Sequence, residues 1–198
     1  MSFRTEKKFI LKKDNIENFY TWLNENSCKK IYENRLVSSI YFENKYNQIY
    51  SDSDEGVLPR KKIRLRNYNN LDKYLLEKKI SSIEGRYKTS VEKKNTKILK
   101  KIGIFDNQYG VCKPLLKVSY VREYYKFKDY RITFDRNISY KKLNSKKIFK
   151  DNLYVIEFKK KNIYTDNLIF NFPYSESRFS KYSRAFEILN GRLPKWVK

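Results

Sequence analysis

The residues of this chain best able to do chemistry recur at a spacing of two. Glu6 and Lys8, Arg64 and Arg66, Glu77 and Lys79, Arg86 and Lys88, Tyr120 and Arg122, and Glu157 and Lys159 are such pairs. Arg131, Thr133 and Asp135 extend the pattern to a triple. In an extended strand, residues i and i+2 project from the same face. The alternate positions are apolar in several of these segments: Ile63 and Leu65, Leu76, Val121, Ile156 and Phe158. A half-buried sheet normally turns its charges to solvent. Turned inward instead, the charged faces of about eight strands line a polar tunnel that holds one slim ligand. So many enclosed cations require a polyanion to offset them. The interspersed glutamates are what a divalent metal bridging phosphate oxygens needs.

Other chemistries are excluded by composition. Histidine is absent, and Cys28 and Cys112 have no paired spacing. That removes His-based triads, zinc-finger patterns and a disulfide framework. No glycine-rich phosphate loop is present either. Lys and Arg total 45 against 22 Asp and Glu, a net charge of +23 that attracts polyanions: nucleic acid, anionic membrane, or phosphate chains and nucleotides. Much of the lysine fits a compositional bias that also enriches Asn, Ile and Tyr. The arginines fit it poorly. Of the 12 arginines, Arg4, Arg60, Arg64, Arg66, Arg86, Arg122 and Arg131 fall in or beside strand-like segments. Arginine grips phosphate with a rigid fork that lysine lacks.

These residues need elements to position them. The length of 198 residues suits one domain over 1–198, and 40% hydrophobic with 17% aromatic residues is too much for a disordered basic tail. No window approaches the roughly 18 apolar residues of a membrane span. The opening MSFRTEKKF lacks the apolar core of a secretion signal, so a cytoplasmic location is expected. Strands are predicted at Arg4–Leu11, Leu36–Phe42, Lys61–Tyr68, Lys73–Ile83, Arg86–Val91, Leu115–Phe127, Tyr130–Tyr140 and Leu153–Lys160. Asp14 and Glu17 read as a capping box ahead of a helix with Ile16, Phe19, Tyr20 and Leu23 on one face. Further helices are predicted at Glu92–Ile102 and Ser183–Leu189. The expected class is α+β: a closed antiparallel barrel with a few helices packed outside.

The same residues, in the same order, resemble the VTC domain, the polyphosphate polymerase catalytic domain of the triphosphate tunnel metalloenzymes. Arg4, Glu6, Lys8 and Phe9 match R-x-E-x-K-F; Ser39, Tyr41, Phe42, Glu43 and Asn44 match S-x-Y-F-[DE]-N. Arg64, Arg66 and Tyr68 form R-x-R-x-Y, and Leu75, Glu77 and Lys79 the next strand, followed by Arg86 and Lys88. Tyr120 and Arg122, then Arg131, Thr133 and Asp135, then Val155 to Lys159 continue the series. Phe179, Ser180, Lys181 and Tyr182 close it as F-S-K-[YF]. The P-x-W-[LF] stretch of the family is missing, with only Ile169–Pro173 in its place.

The resemblance implies a tunnel in which Lys8, Arg64, Arg66, Lys79, Lys88, Arg122, Arg131, Lys159 and Lys181 hold phosphates and Tyr120 and Ser180 add hydrogen bonds. Among these, Arg64, Arg66, Arg122 and Lys181 would act on the charge of the transition state. Glu157, with Glu6, would hold Mn2+ or Mg2+. The implied partners are ATP, triphosphate and polyphosphate. Moving a polyphosphate product across a membrane would require a separate membrane protein. Three outcomes stay open: chain extension, triphosphate hydrolysis when water attacks, and binding without turnover. A basic, tyrosine-rich nucleic-acid module is the remaining alternative. It leaves the glutamates among the arginines unexplained.

Overall fold

The computed structural model describes residues 5–160 and 172–192. Ten strands run in chain order as β1 (Thr5–Leu11), β2 (Lys29–Glu43), β3 (Arg60–Tyr68), β4 (Tyr74–Ser82), β5 (Gly85–Lys93), β6 (Ile104–Asp106), β7 (Gly110–Phe127), β8 (Tyr130–Lys142), β9 (Ile148–Lys150) and β10 (Tyr154–Lys160). The helices are α1 (Ile16–Glu25), α2 (Gln48–Glu55), α3 (Lys97–Ile102) and α4 (Lys181–Leu189). Eight strands form one antiparallel sheet in the order β1-β10-β8-β7-β2-β3-β4-β5, with β6 on β7 and β9 on β8. The class is α+β, dominated by antiparallel strands, and the fold is tunnel-like.

Closure differs from the expectation. Among the described residues no backbone ladder joins β1 to β5. The bridge is made by side chains: Lys79 Nζ of β4 reaches Glu6 Oε2 of β1 at 2.7 Å. The free edge of β1 is instead met by an irregular segment, with the Ser177 amide donating to the Lys8 carbonyl at 2.8 Å.

The period-two pattern explains both faces of the sheet. On β1, Phe9 and Leu11 are buried in one apolar cluster together with Ile156 and Phe158 of β10. Helix α1 supplies Phe19, Trp22 and Leu23 to the same cluster, with the Phe19 ring tilted against Phe134 at 5.0 Å and Trp22 edge-on to Phe158 at 5.9 Å. Burying one such ring contributes about 1.5–3 kcal/mol. The charged residues on the alternate positions of β1 and β10 are thereby turned to the concave face.

Helix α4 lies on that concave face rather than outside. Tyr182 stacks on Tyr41 of β2 at 5.0 Å, and Phe186 on Tyr50 of α2 at 4.0 Å. Arg184 holds Asp151 through two bonds of 2.6 and 3.0 Å.

Three local expectations are corrected. Asp14 sits in a short 3-10 turn, and α1 starts from Asn15 with no side-chain cap bond. The helix expected from Glu92 starts only at Lys97, because Glu92 and Lys93 extend β5 opposite Leu75 and Tyr74. Arg4 and residues 169–171 lie outside the described residues.

Candidate functional site

Alternation along the strands delivers one cluster of charge to the concave face. Antiparallel registry then sets the levels: Lys8 opposite Glu157, Glu6 opposite Lys159, Arg64 opposite Glu77, and Lys62 opposite Lys79. The result is a cavity of about 550 Å³ between the sheet and the start of α4. Among the described residues, twelve Lys or Arg side chains line it against four carboxylates. That imbalance makes it an anion site.

The arginines differ in how they are held. Arg66 is 6% exposed and donates to two hydroxyls, Ser39 Oγ at 3.1 Å and Tyr120 Oη at 3.2 Å. Arg64 donates to Tyr41 Oη at 2.9 Å and to Glu77 at 2.7 Å. Burial alone would raise the Glu77 carboxyl, but Arg64, Arg66 and Lys88 hold it at about 2. Arg122 spends its fork on Asp135, at 2.5 and 2.7 Å, and Lys181 Nζ meets the same carboxylate at 2.7 Å. Despite complete burial, Arg122 and Lys181 keep Asp135 below the ordinary carboxylate range.

Two half-buried lysines have, among the described residues, only neutral acceptors in hydrogen-bond reach. Lys8 Nζ donates to the Phe179 carbonyl at 2.8 Å, and Lys62 Nζ to Ser180 Oγ at 2.8 Å. Burial lowers Lys8 to about 8, opposed mainly by Glu157. Lys62 is pushed well below the usual lysine value by burial and by Lys8, Lys79, Arg60 and Arg64. With cations outnumbering carboxylates around them, these two amines favour an anion in the cavity.

Of the residues singled out in the sequence, Glu6, Lys8, Arg64, Arg66, Lys79, Tyr120, Arg122, Glu157, Lys159, Ser180 and Lys181 line this one cavity. Lys88 does not: it stands opposite Lys79 on the edge strand β5, 47% exposed, with its Nζ 2.6 Å from Glu77. Arg131 does not either. It is exposed near the turn between β7 and β8, although it stands opposite the cavity residue Lys159 in the β8–β10 register. Lys62 was missed by the sequence reading, yet it lies two residues before Arg64 on the same face of β3. Glu43 was read only as part of a motif. It accepts the amides of Asn44, Ile49 and Tyr50 at 2.9, 3.0 and 2.9 Å, and the Tyr182 hydroxyl. It thus joins β2, the start of α2 and α4, which fixes the floor of the cavity.

A family model described as the VTC domain matches residues 3–190. The chain belongs to the VTC domain family. Its fold is that of the triphosphate tunnel group, to which the sequence resemblance pointed. Among solved structures, a putative adenylate cyclase from Bacillus halodurans superposes with a TM-score of 0.55 at 16% identity, over 100% of this chain and 95% of that one. A protein from Hippeastrum, described as a putative adenylyl cyclase with a dominant triphosphatase activity, gives 0.55 at 15%, over 98% of each chain. A putative adenylate cyclase from Vibrio parahaemolyticus gives 0.51 at 13%, over 96% and 87%. No curated protein matches the sequence.

The carboxylates of this VTC domain that face the cavity allow a metal of limited kind. Glu6 and Glu157 project from neighbouring strands and share the Lys159 ammonium, at 3.7 and 3.1 Å. Burial and Glu157 push Glu6 up, but Lys79 and Lys159 outweigh them. Glu157, though fully buried, is held well below the carboxylate range by Lys159, Lys8 and Arg122. Both are therefore ionised at neutral pH. No group of three or more His, Cys, Asp or Glu converges among the described residues. Two carboxylates suit a hard cation such as Mg2+ or Mn2+ only when phosphate oxygens and water complete its shell. No helix among the described residues is long and apolar enough to cross a membrane.

Proposed function

We propose that this VTC domain is a metal-dependent phosphotransferase that binds ATP by its triphosphate and extends a polyphosphate chain. The observation carrying this reading is the pair of half-buried lysine amines, Lys8 and Lys62, held by neutral oxygens in a wall of arginines. A triphosphate supplies several negative oxygens along one line, which suits a row of cations at strand spacing. In transfer, an oxygen of the chain's terminal phosphate attacks the γ-phosphorus. The bond from that phosphorus to the β–γ bridging oxygen breaks, and ADP leaves. Such a step asks for positioning and charge neutralisation rather than a dedicated covalent catalyst.

Arg64 and Arg66 neutralise the spreading charge in this reading, with Lys8, Lys62, Lys79 and Lys181 along the chain. Arg122 contributes by holding Asp135 and, through it, the Lys181 ammonium. Tyr120 and Ser180 position Arg66 and Lys62 through their hydroxyls. Glu157 and Glu6 would hold Mn2+ or Mg2+, which when bound neutralises phosphate oxygens. Lys159 would then be released toward phosphate. If water is the attacking group, the same site is a triphosphatase. That second reading is favoured by the description of the Hippeastrum relative.

The test is incorporation of labelled γ-phosphate from ATP into acid-insoluble chains with Mn2+ or Mg2+, alongside released phosphate. Chains that form with metal, and fail to form with a chelator or in Glu157→Gln, support the proposal. Phosphate release without chains replaces it with the hydrolase. Failure to bind inorganic tripolyphosphate sinks both.

A further inference from the structure

The concave face is chemically different at its two ends. At one end, the Arg60, Arg86 and Arg178 guanidiniums crowd one another, and burial and the other two lower Arg60. At the other end the same strand faces turn aromatic and apolar. On β3 the inward series Arg60, Lys62, Arg64, Arg66 finishes at Tyr68, whose ring centroid is 6.0 Å from the Arg66 guanidinium. On β4, Leu75 stands opposite Arg66. Here a second cavity of about 290 Å³ is lined by Arg35, Tyr68, Asn69, Leu71, Lys73 and Leu75. The Arg35 guanidinium lies over the Tyr32 ring at 5.1 Å and 5.5 Å from the Tyr124 centroid.

Resting on the triphosphate reading, we infer that this second cavity takes the nucleobase of the nucleoside triphosphate, with its phosphates running from Arg66 along the Arg64 and Lys62 row. Three observations carry the assignment. Arg66 lines the phosphate site and Tyr68, the next inward residue of β3, lines the second cavity, with the guanidinium 6.0 Å from the ring centroid, so a single ligand can reach from one to the other. Two residues of strand advance about 7 Å, which leaves a sugar's room between phosphate and base. The walls offer what a base uses: the Tyr68 ring and the planar Arg35 guanidinium, itself backed by the Tyr32 and Tyr124 rings, for stacking. The Asn69 Oδ1 accepts the Leu36 amide at 2.9 Å, and this leaves the amide nitrogen to donate to a ring nitrogen of a base. The orientation follows. The nucleoside sits at the aromatic end, and the γ-phosphate points toward the Arg60 end, where the growing chain lies.

The experiment compares ATP with inorganic tripolyphosphate by calorimetry on the wild type, Tyr68→Leu and Tyr32→Ala. Tyr32 is 49% exposed, so its truncation leaves folding intact, and Tyr68→Leu retains most of the apolar bulk. Stacking on one aromatic typically contributes about tenfold in affinity. The expected result is an ATP affinity lowered about tenfold in Tyr68→Leu, and less in Tyr32→Ala, with tripolyphosphate binding unchanged. If neither variant moves ATP affinity, the base lies elsewhere and the inference is overturned while the triphosphate site stands. If ATP and tripolyphosphate weaken together in Tyr68→Leu, that residue acts through Arg66 and the inference is again overturned. If the wild type binds neither compound, both readings fall.

Discussion

Arg66 and Arg122 look alike in sequence, each one strand step from a partner on the same face, but the structure gives them opposite duties. In Arg122→Met, Asp135 loses both hydrogen bonds from the guanidinium and keeps only Lys181. Asp135 is 0% exposed, so water does not replace the lost donors. Breaking a buried ion pair in this way costs about 3–5 kcal/mol. For a domain of this length that corresponds to a fall in melting midpoint of roughly 6–20 °C. Arg66→Met should behave differently. Its closest carboxylate, Glu77, is 3.7 Å away and retains Arg64 at 2.7 Å and Lys88 at 2.6 Å. What Arg66 loses inside the protein is two bonds to hydroxyls, about 1 kcal/mol each. What it would have given a phosphate is a charge-assisted bond of about 1.5–3 kcal/mol, roughly 10- to 150-fold in affinity. Thermal melts by circular dichroism and titrations with inorganic tripolyphosphate separate the two effects. An Arg122→Met variant melting within a few degrees of wild type would refute the reasoning. So would an Arg66→Met variant that binds tripolyphosphate as wild type does.

Two further outcomes are expected. Because burial lowers Lys62 and Lys8 in the empty protein, with Lys8 at about 8, and phosphate raises them again, binding of tripolyphosphate near about pH 9 should take up protons. Calorimetry in two buffers of different ionisation enthalpy reads the number, which should fall in Lys62→Met; release of protons, or no exchange, would contradict the assignment. Glu43→Gln should destabilise the domain by about 2–4 kcal/mol through orphaned buried donors, with faster hydrogen exchange at the Ile49 and Tyr50 amides, and protection equal to wild type would show that α2 is anchored elsewhere.

The strands were legible because a period of two is a local property, and Ile156 and Phe158 alternating with Glu157 and Lys159 state it within five residues. The common cavity was legible for the same reason: once one face is apolar, the other is fixed. Arg131 shows the limit of that logic. Alternation assigns a face but not what a long side chain reaches, and Arg131 is exposed although its register partner Lys159 lines the cavity. The place of α4 was not legible, since an apolar stripe names no partner and the Tyr41–Tyr182 stack joins residues far apart in the chain. Helix α2 was missed because QIYSDSDE has little apolar periodicity. Its start is held by a glutamate on another element, Glu43.

On the proposed polyphosphate reading, the seam between β1 and β5 bears on how a long polymer would meet the site. A ring of strands welded by backbone ladders has a bore fixed by strand number and stagger, and a chain must be threaded through it end first. Here the circuit is fastened by Glu6 and Lys79, two flexible side chains that are 13% and 31% exposed. A clasp of that kind opens by rotamer changes and is loosened by salt, without breaking any ladder of the sheet. The gauge of the passage is thus set by side-chain reach rather than by strand count. Entry from the side, along the length of a polymer, requires this clasp and the Ser177–Lys8 bond beside it to part, but no ladder of the sheet.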